Sequence, residues 1–189
     1  MKFLDLTVPV RKAKWEAIFS AERMTAFGHL GTHFDVMNKE FPVDDLKRPG
    51  KLVEASGIRD RDIALADMAD AAIDAGDFVI FHTGFLARTG YGTPQYFAEH
   101  PQLSPELIEH LLAKRVSLIG IDAAGLRRGK EHTPTDQACA DQGVFVVENL
   151  ANLETLHREA GTLPFTVYTF PLSFEGLTGL PCRVFAEYQ

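Results

Sequence analysis

Two imidazoles and a carboxylate fall within seven residues in the stretch Gly28-His29-Leu30-Gly31-Thr32-His33-Phe34-Asp35-Val36. Imidazole with carboxylate is a donor set suited to a borderline divalent cation. On a strand, positions 29, 31, 33 and 35 share one face while Leu30, Thr32, Phe34 and Val36 take the other. A flat strand would nevertheless hold His29 and His33 roughly 13 Å apart, at about 3.3 Å per residue. On a helix the two histidines would meet at four-residue spacing, but Asp35 would turn away. The backbone must therefore bend between them, and Gly31 is the residue able to bend. The expectation is a strand or loop kinked at Gly31, with His29, His33 and Asp35 meeting at the kink around one ion. Three protein ligands leave positions open for water and substrate, as in catalytic rather than structural zinc sites. A cation there would activate water and polarise a carbonyl, which is amide, lactam or ester hydrolysis.

The elements that must hold these groups alternate between strand and helix. Residues 2–10 read as a strand ended by Pro9, and residues 12–24 as a short helix or an entrance loop. Residues 38–51, with two prolines and Gly50, read as loop. Residues 62–75 are alanine-rich and suit a helix closed by Gly76. Buried strands follow at 78–81, 116–121 and 144–147, with a loop over 89–95. A helix starts at the capping Ser104 and runs to about Lys114, and another covers 150–158. The end is β-rich, over 166–170 and 183–188. The pattern predicts an α/β architecture in a single domain over 1–189, with acids (Asp122 and Glu148) at strand ends where such folds bind ligands.

The chain has 189 residues, 46% of them apolar, and a net charge of −7, enough for a real core and a poor match to nucleic acid or anionic membrane. No apolar run approaches the roughly 20 residues that span a bilayer. Asp5 interrupts what would be the apolar part of a signal peptide, so cytoplasm is the expected location. Cys139 and Cys182 form neither a disulfide framework nor a metal-finger pattern.

His-x-Gly-Thr-His-x-Asp at 29–35 resembles the signature of the metal-dependent cyclase-like hydrolases, the family of bacterial kynurenine formamidase and isatin hydrolase. Further stretches resemble that family in the same order. They are Phe81-His82-Thr83-Gly84-Phe85, Ile119-Gly120-Ile121-Asp122 and the run from Gly143 to Leu153 containing Glu148-Asn149-Leu150. Pro171-Leu172 and Gly179-Leu180-Pro181-Cys182-Arg183 complete the series. The resemblance implies a swivelling β/β/α domain, a homodimer or higher homo-oligomer, and a zinc or manganese centre acting on a small-molecule substrate. It departs at Met37 and Lys39, where the family carries proline and a third histidine.

In two-metal relatives the aspartate bridges, and the second ion takes a histidine and the glutamate about twelve residues later. Glu148 matches that glutamate, as a ligand or behind one, but the histidine's place is held by Asp136, a ligand or a helix cap. His132 would reach the site only if the loop over 133–135 were rearranged. Lys39 has three readings: an acid/base beside the metal, an ammonium that neutralises Asp35, Asp136 and Glu148, or a solvated loop residue. The set favours one ion over two. Thr83 and Gly84 are candidate oxyanion donors, and Phe19, Phe27, Phe41 and Phe85 candidate pocket walls. His82, His100, His110 and His157 read as structural or surface residues. The competing reading is a family member that binds a small molecule or metal without turnover.

Overall fold

A computed structural model of the protein describes residues 1–10, 27–68 and 72–189, so the stretch 12–24, and Phe19 with it, lies outside the described residues. Its strands are β1 (Lys2–Asp5), β2 (His33–Asp35), β3 (Lys47–Glu54), β4 (Phe78–His82), β5 (Leu118–Ile121), β6 (Phe145–Glu148), β7 (Phe165–Pro171) and β8 (Gly179–Tyr188). Its helices are α1 (Phe85–Thr89), α2 (Pro94–Ala98), α3 (Pro105–Lys114), α4 (His132–Asp141) and α5 (Leu153–Ala160).

The strands run in the order β1-β8-β2-β6-β5-β4-β3-β7, and β7 also pairs with β8. Ala186 of β8 is paired to Leu4 on one side and to Val167 on the other. The sequence β8-β2-β6-β5-β4-β3-β7 therefore closes on itself. The four strands β3 to β6 are mutually parallel, which requires crossover connections rather than hairpins between them. Strands β2 and β7 join them antiparallel at β6 and β3, and β8 pairs antiparallel with both β2 and β7.

The continuous apolar runs of β4, β5 and β6 follow from burial of both faces. Phe78, Ile80, Leu118, Phe145 and Val147 pack with Phe34, Val167 and Val184 in one core cluster. Their alternating neighbours Val79, Phe81, Ile119, Ile121 and Val146 pack with Leu107, Leu111 and Leu112 of α3 in another. Helix α3 begins as expected: the Ser104 side chain accepts from the Leu107 N–H and Pro105 occupies the first turn.

Three expectations are corrected. Residues 47–51, part of the 38–51 stretch read as loop, belong to β3. Pro49 lies in the half paired only to β7, where a strand has one free edge and needs no donor there, while Gly50–Glu54 pair with β4. Residues 62–75 do not form a continuous helix. Ile63 bridges to Leu103 and only the short 3-10 turn Leu65–Met68 follows among the described residues. The loop read over 89–95 spans 90–93, between the end of α1 and the start of α2, which the Thr93 hydroxyl caps. Among the described residues no helix is long and apolar enough to cross a membrane.

Candidate metal centre

Gly31 has φ +64°, a left-handed conformation that glycine adopts at little cost, and the chain turns there into β2. Strand β2 lies between β6 and β8, with His33 opposite Glu148 and Asp35 opposite Val146. His33, Asp35 and Glu148 therefore project to one face, while Phe34 and Val147 enter the core on the other. His29, half-buried, folds back over the turn, its Nε2 2.9 Å from the Thr178 hydroxyl.

The histidine and carboxylate atoms converge closely. His29 Nδ1 lies 3.1 Å from His33 Nε2 and 2.9 Å from Asp35 Oδ1, and His33 Nε2 lies 3.4 Å from that same oxygen. The edge between two ligands on a tetrahedral ion with bonds of about 2.0–2.1 Å would be about 3.3 Å. His33 Nδ1 is 2.9 Å from the Gly31 carbonyl, which accounts for the proton on that nitrogen and leaves Nε2 with a lone pair toward the cluster. The Gly31 carbonyl also accepts from Asn149 Nδ2 at 2.8 Å, and Asn149 Oδ1 in turn accepts from the Tyr96 hydroxyl at 2.7 Å. This chain of partners fixes the ring behind its metal-facing edge, as ligating histidines generally require.

A second donor group adjoins the first and shares Asp35: Asp35, His132, Asp136 and Glu148. His132 and Asp136 lie four residues apart on α4 and face the same way. The 133–135 stretch is the first turn of that helix, so His132 reaches the site without the loop rearrangement that the sequence demanded. Its Nε2 stands 3.3 Å from Asp136 Oδ2 and 3.5 Å from Glu148 Oε1, while Nδ1 is 3.1 Å from the Arg127 carbonyl. Gly125 makes room for the ring, since a Cβ there would lie 2.5 Å from His132 Nδ1.

The fit to a cation rests on the carboxylates. Asp35 Oδ1 and Oδ2, Asp136 Oδ1 and Glu148 Oε1 are buried without a hydrogen-bond partner. Burying such oxygens unpaired is costly, and groups of this kind pair or coordinate a metal. Burial, then the charge of Asp35, pushes Asp136 and Glu148 well above the usual carboxylate range. Burial also raises Asp35, but the adjacent imidazoles of His29 and His33 outweigh it and hold that carboxyl well below its ordinary value. Apart from the imidazole nitrogens beside Asp35, these crowded lone pairs face no donor, and they require protons or a cation.

The structure brings together His29, His33, Asp35, Asp136 and Glu148, and adds His132. It does not bring Lys39 to them. The Lys39 ammonium pairs with Asp141 at 2.7 Å, near the end of α4, so the two readings that put it at the metal are corrected. Met37 has φ +56° and the turn that follows carries Lys39 outward. Thr83 donates through its N–H and its hydroxyl to Asp122 at 2.8 and 2.6 Å, which is turn duty. Cys139 is buried and its thiol is pushed up to about 12 by burial.

A cavity of about 440 Å³ opens onto His29, His132, Asp136 and Glu148. Phe27 lines it, as expected. Phe41 instead packs on Phe34 and Phe145, and Phe85 on Tyr96. Phe97 and Arg128 line the cavity and escaped the sequence reading, and His100, read as structural or surface, lines it as well. Only the placement of α2 and of the turn after β5 brings them there.

The family model of Cyclase, described as "Putative cyclase", matches residues 4–127. No protein of curated function matches. A solved structure described as a potential metal-dependent hydrolase with cyclase activity is 25% identical, with a TM-score of 0.73 over 98% of this chain and 96% of the other. An isatin hydrolase bound to the product analogue thioisatinate is 24% identical, with a TM-score of 0.68 over 82% of this chain and 70% of the other. A "predicted metal-dependent hydrolase" from Bacillus stearothermophilus is 23% identical, with a TM-score of 0.66 over 98% and 97%. The matched region ends before α4 and β6, yet it includes the whole of the 29–35 stretch, and the full-length structural matches carry the same fold through the remainder: the chain belongs to the cyclase family.

Proposed function

We propose that the protein is a metal-dependent hydrolase acting on a small amide, lactam or ester. The observation that carries this reading is the convergence of His29, His33, Asp35 and Glu148, with four buried carboxylate oxygens lacking partners. His29 and His33 with Asp35 form a set suited to zinc, and Asp35, Asp136 and Glu148 with His132 an oxygen-richer set suited to manganese. The shared Asp35 supports a pair of ions, against the single ion expected from sequence. When bound, the metal would act as a Lewis acid and bring the pKa of its water to about 7.

The protein's own groups supply the rest. Thr178 and the Gly31 carbonyl orient the two imidazoles. Glu148, 3.5 Å from both His33 and His132, would be kept ionised by a bound cation and could then hold a proton and return it to the leaving group. Phe27, Met37 and Phe97 give the cavity apolar walls. The C–N bond preference and the homodimer, which come from the family resemblance, and the cytoplasmic location belong to the same proposal.

The test is metal analysis of purified protein, followed by turnover of a panel of formamides, lactams and lactones with zinc or manganese. We expect bound divalent metal and hydrolysis of at least one class. His33→Ala should lower kcat/KM by more than the about 10–100-fold that loss of a partner behind a ligand costs. Protein that takes up no divalent ion would defeat the reading. The removal of Lys39 to Asp141 favours one alternative, a family member that binds a small molecule without turnover; full metal occupancy with a silent panel selects it.

A further inference from the structure

Two arginines stand side by side after β5 and are used differently. Arg127 is saturated: its guanidinium binds Asp62 at 2.5 Å, Glu131 at 2.5 Å and the Leu103 carbonyl at 2.8 Å. Arg128 has no carboxylate partner among the described residues. Its backbone N–H donates to Gln102 Oε1, and its Nη1 reaches only the Ala98 carbonyl at the end of α2, at 3.3 Å. Arg128 is exposed, lines the metal-facing cavity together with Phe97 and also borders a neighbouring cavity with Asp60 and Glu99, and most of its donors are unspent among the described residues.

The rest of the cavity sharpens the point. His100, which also lines it, is buried and is pushed down to about 4, first by burial, so it carries no charge at neutral pH. The acids Asp136 and Glu148 lie on the floor. Arg128 is thus the only lining side chain with a permanent positive charge among the described residues. An unpaired guanidinium facing a ligand cavity is a ready partner for a carboxylate, in a paired geometry that an ammonium does not offer.

Resting on the hydrolase reading above, we propose that Arg128 is a specificity-determining residue and that the substrate carries an anionic group besides the carbonyl that reacts. The apolar body lies against Phe27 and Phe97, the reacting carbonyl faces His29, His132 and Glu148, and the anion reaches the guanidinium at the rim. Neutral substrates of the same shape leave Arg128 unpaired and bind less well.

The test compares 4-formamidobenzoate with its neutral isostere 4-formamidobenzamide. In manganese- or zinc-loaded wild-type protein the anion should be preferred, chiefly through KM. Arg128→Gln should reduce that preference about tenfold or more, and Arg128→Lys should recover part of it. Should neither compound turn over, the hydrolase reading loses that substrate class. The anion preference is then read from the Kd of each compound for the protein as purified, by titration calorimetry. Equal affinity for the two compounds in wild type overturns the proposal, as does an unchanged preference in Arg128→Gln.

Discussion

At the scale of single residues, the site depends on which atom each donor leaves free. His33 offers Nε2 because Nδ1 is held by the Gly31 carbonyl, and Asn149 and Tyr96 hold that carbonyl from behind. Tyr96→Phe removes one hydroxyl from this chain and touches no ligand. We expect metal affinity to fall about tenfold, within the range usual for partners behind a ligand, with the fold intact by circular dichroism. The same view explains why Lys39 could not be assigned from its position. Sequence gives its spacing from His33, but the left-handed Met37 between them decides where it goes, and a positive φ at a methionine has no sequence signature.

At the scale of elements, the second donor group depends on α4 docking against the turn that follows β5. Gly125 sits at that contact with φ +113° and no room for a Cβ. Gly125→Ala should displace His132 while sparing His29 and His33. We expect bound metal per chain, measured by plasma emission, to fall toward the level that the first donor group retains alone. Legibility follows the same lines. The 29–35 stretch could be read because its donors are close in sequence and only a bend was needed to join them. Strands β4, β5 and β6 could be read because both faces are buried and the apolar runs are unbroken. Helix α4 could not: it is short of apolar residues, carries Pro134, and buries Asp136 along with Cys139 and Ala140. Its amphipathic pattern is overridden by the site it serves. Strand β3 was hidden by Pro49 and Gly50, which usually mark loops: here Pro49 is paired on one side only, and Gly50 is paired on both sides where a Cβ would strike the Phe165 ring.

At the scale of the molecule, the buried acids tie stability to metal and to pH. Folded Asp136 and Glu148 hold protons that an unfolded chain releases above about pH 4. Between their ordinary values and their raised folded values the unfolded state binds fewer protons, so metal-free stability falls as pH rises. Asp35 contributes in the opposite sense, but its contribution is lost only in acid, as pH falls through its lowered folded value. The Tm of chelator-treated protein should therefore drop from about pH 5 to about pH 8, and Glu148→Gln should lessen the drop. Zinc or manganese at about 100 times Kd should add about 2.7 kcal/mol, a rise of roughly 5–10 °C for a chain of this size, read by calorimetry. A flat pH profile, or no rise with either metal, would contradict the cation reading of the cluster.

The closed strand order carries a further consequence. Strand β2 is three residues long, and one of its two neighbours is β8, which follows every other strand along the chain. During synthesis on the ribosome, the imidazole pair has no finished bed until that last ribbon emerges and closes the circuit. A nascent chain that has not yet made β8 would therefore hold no completed bed for the imidazole pair.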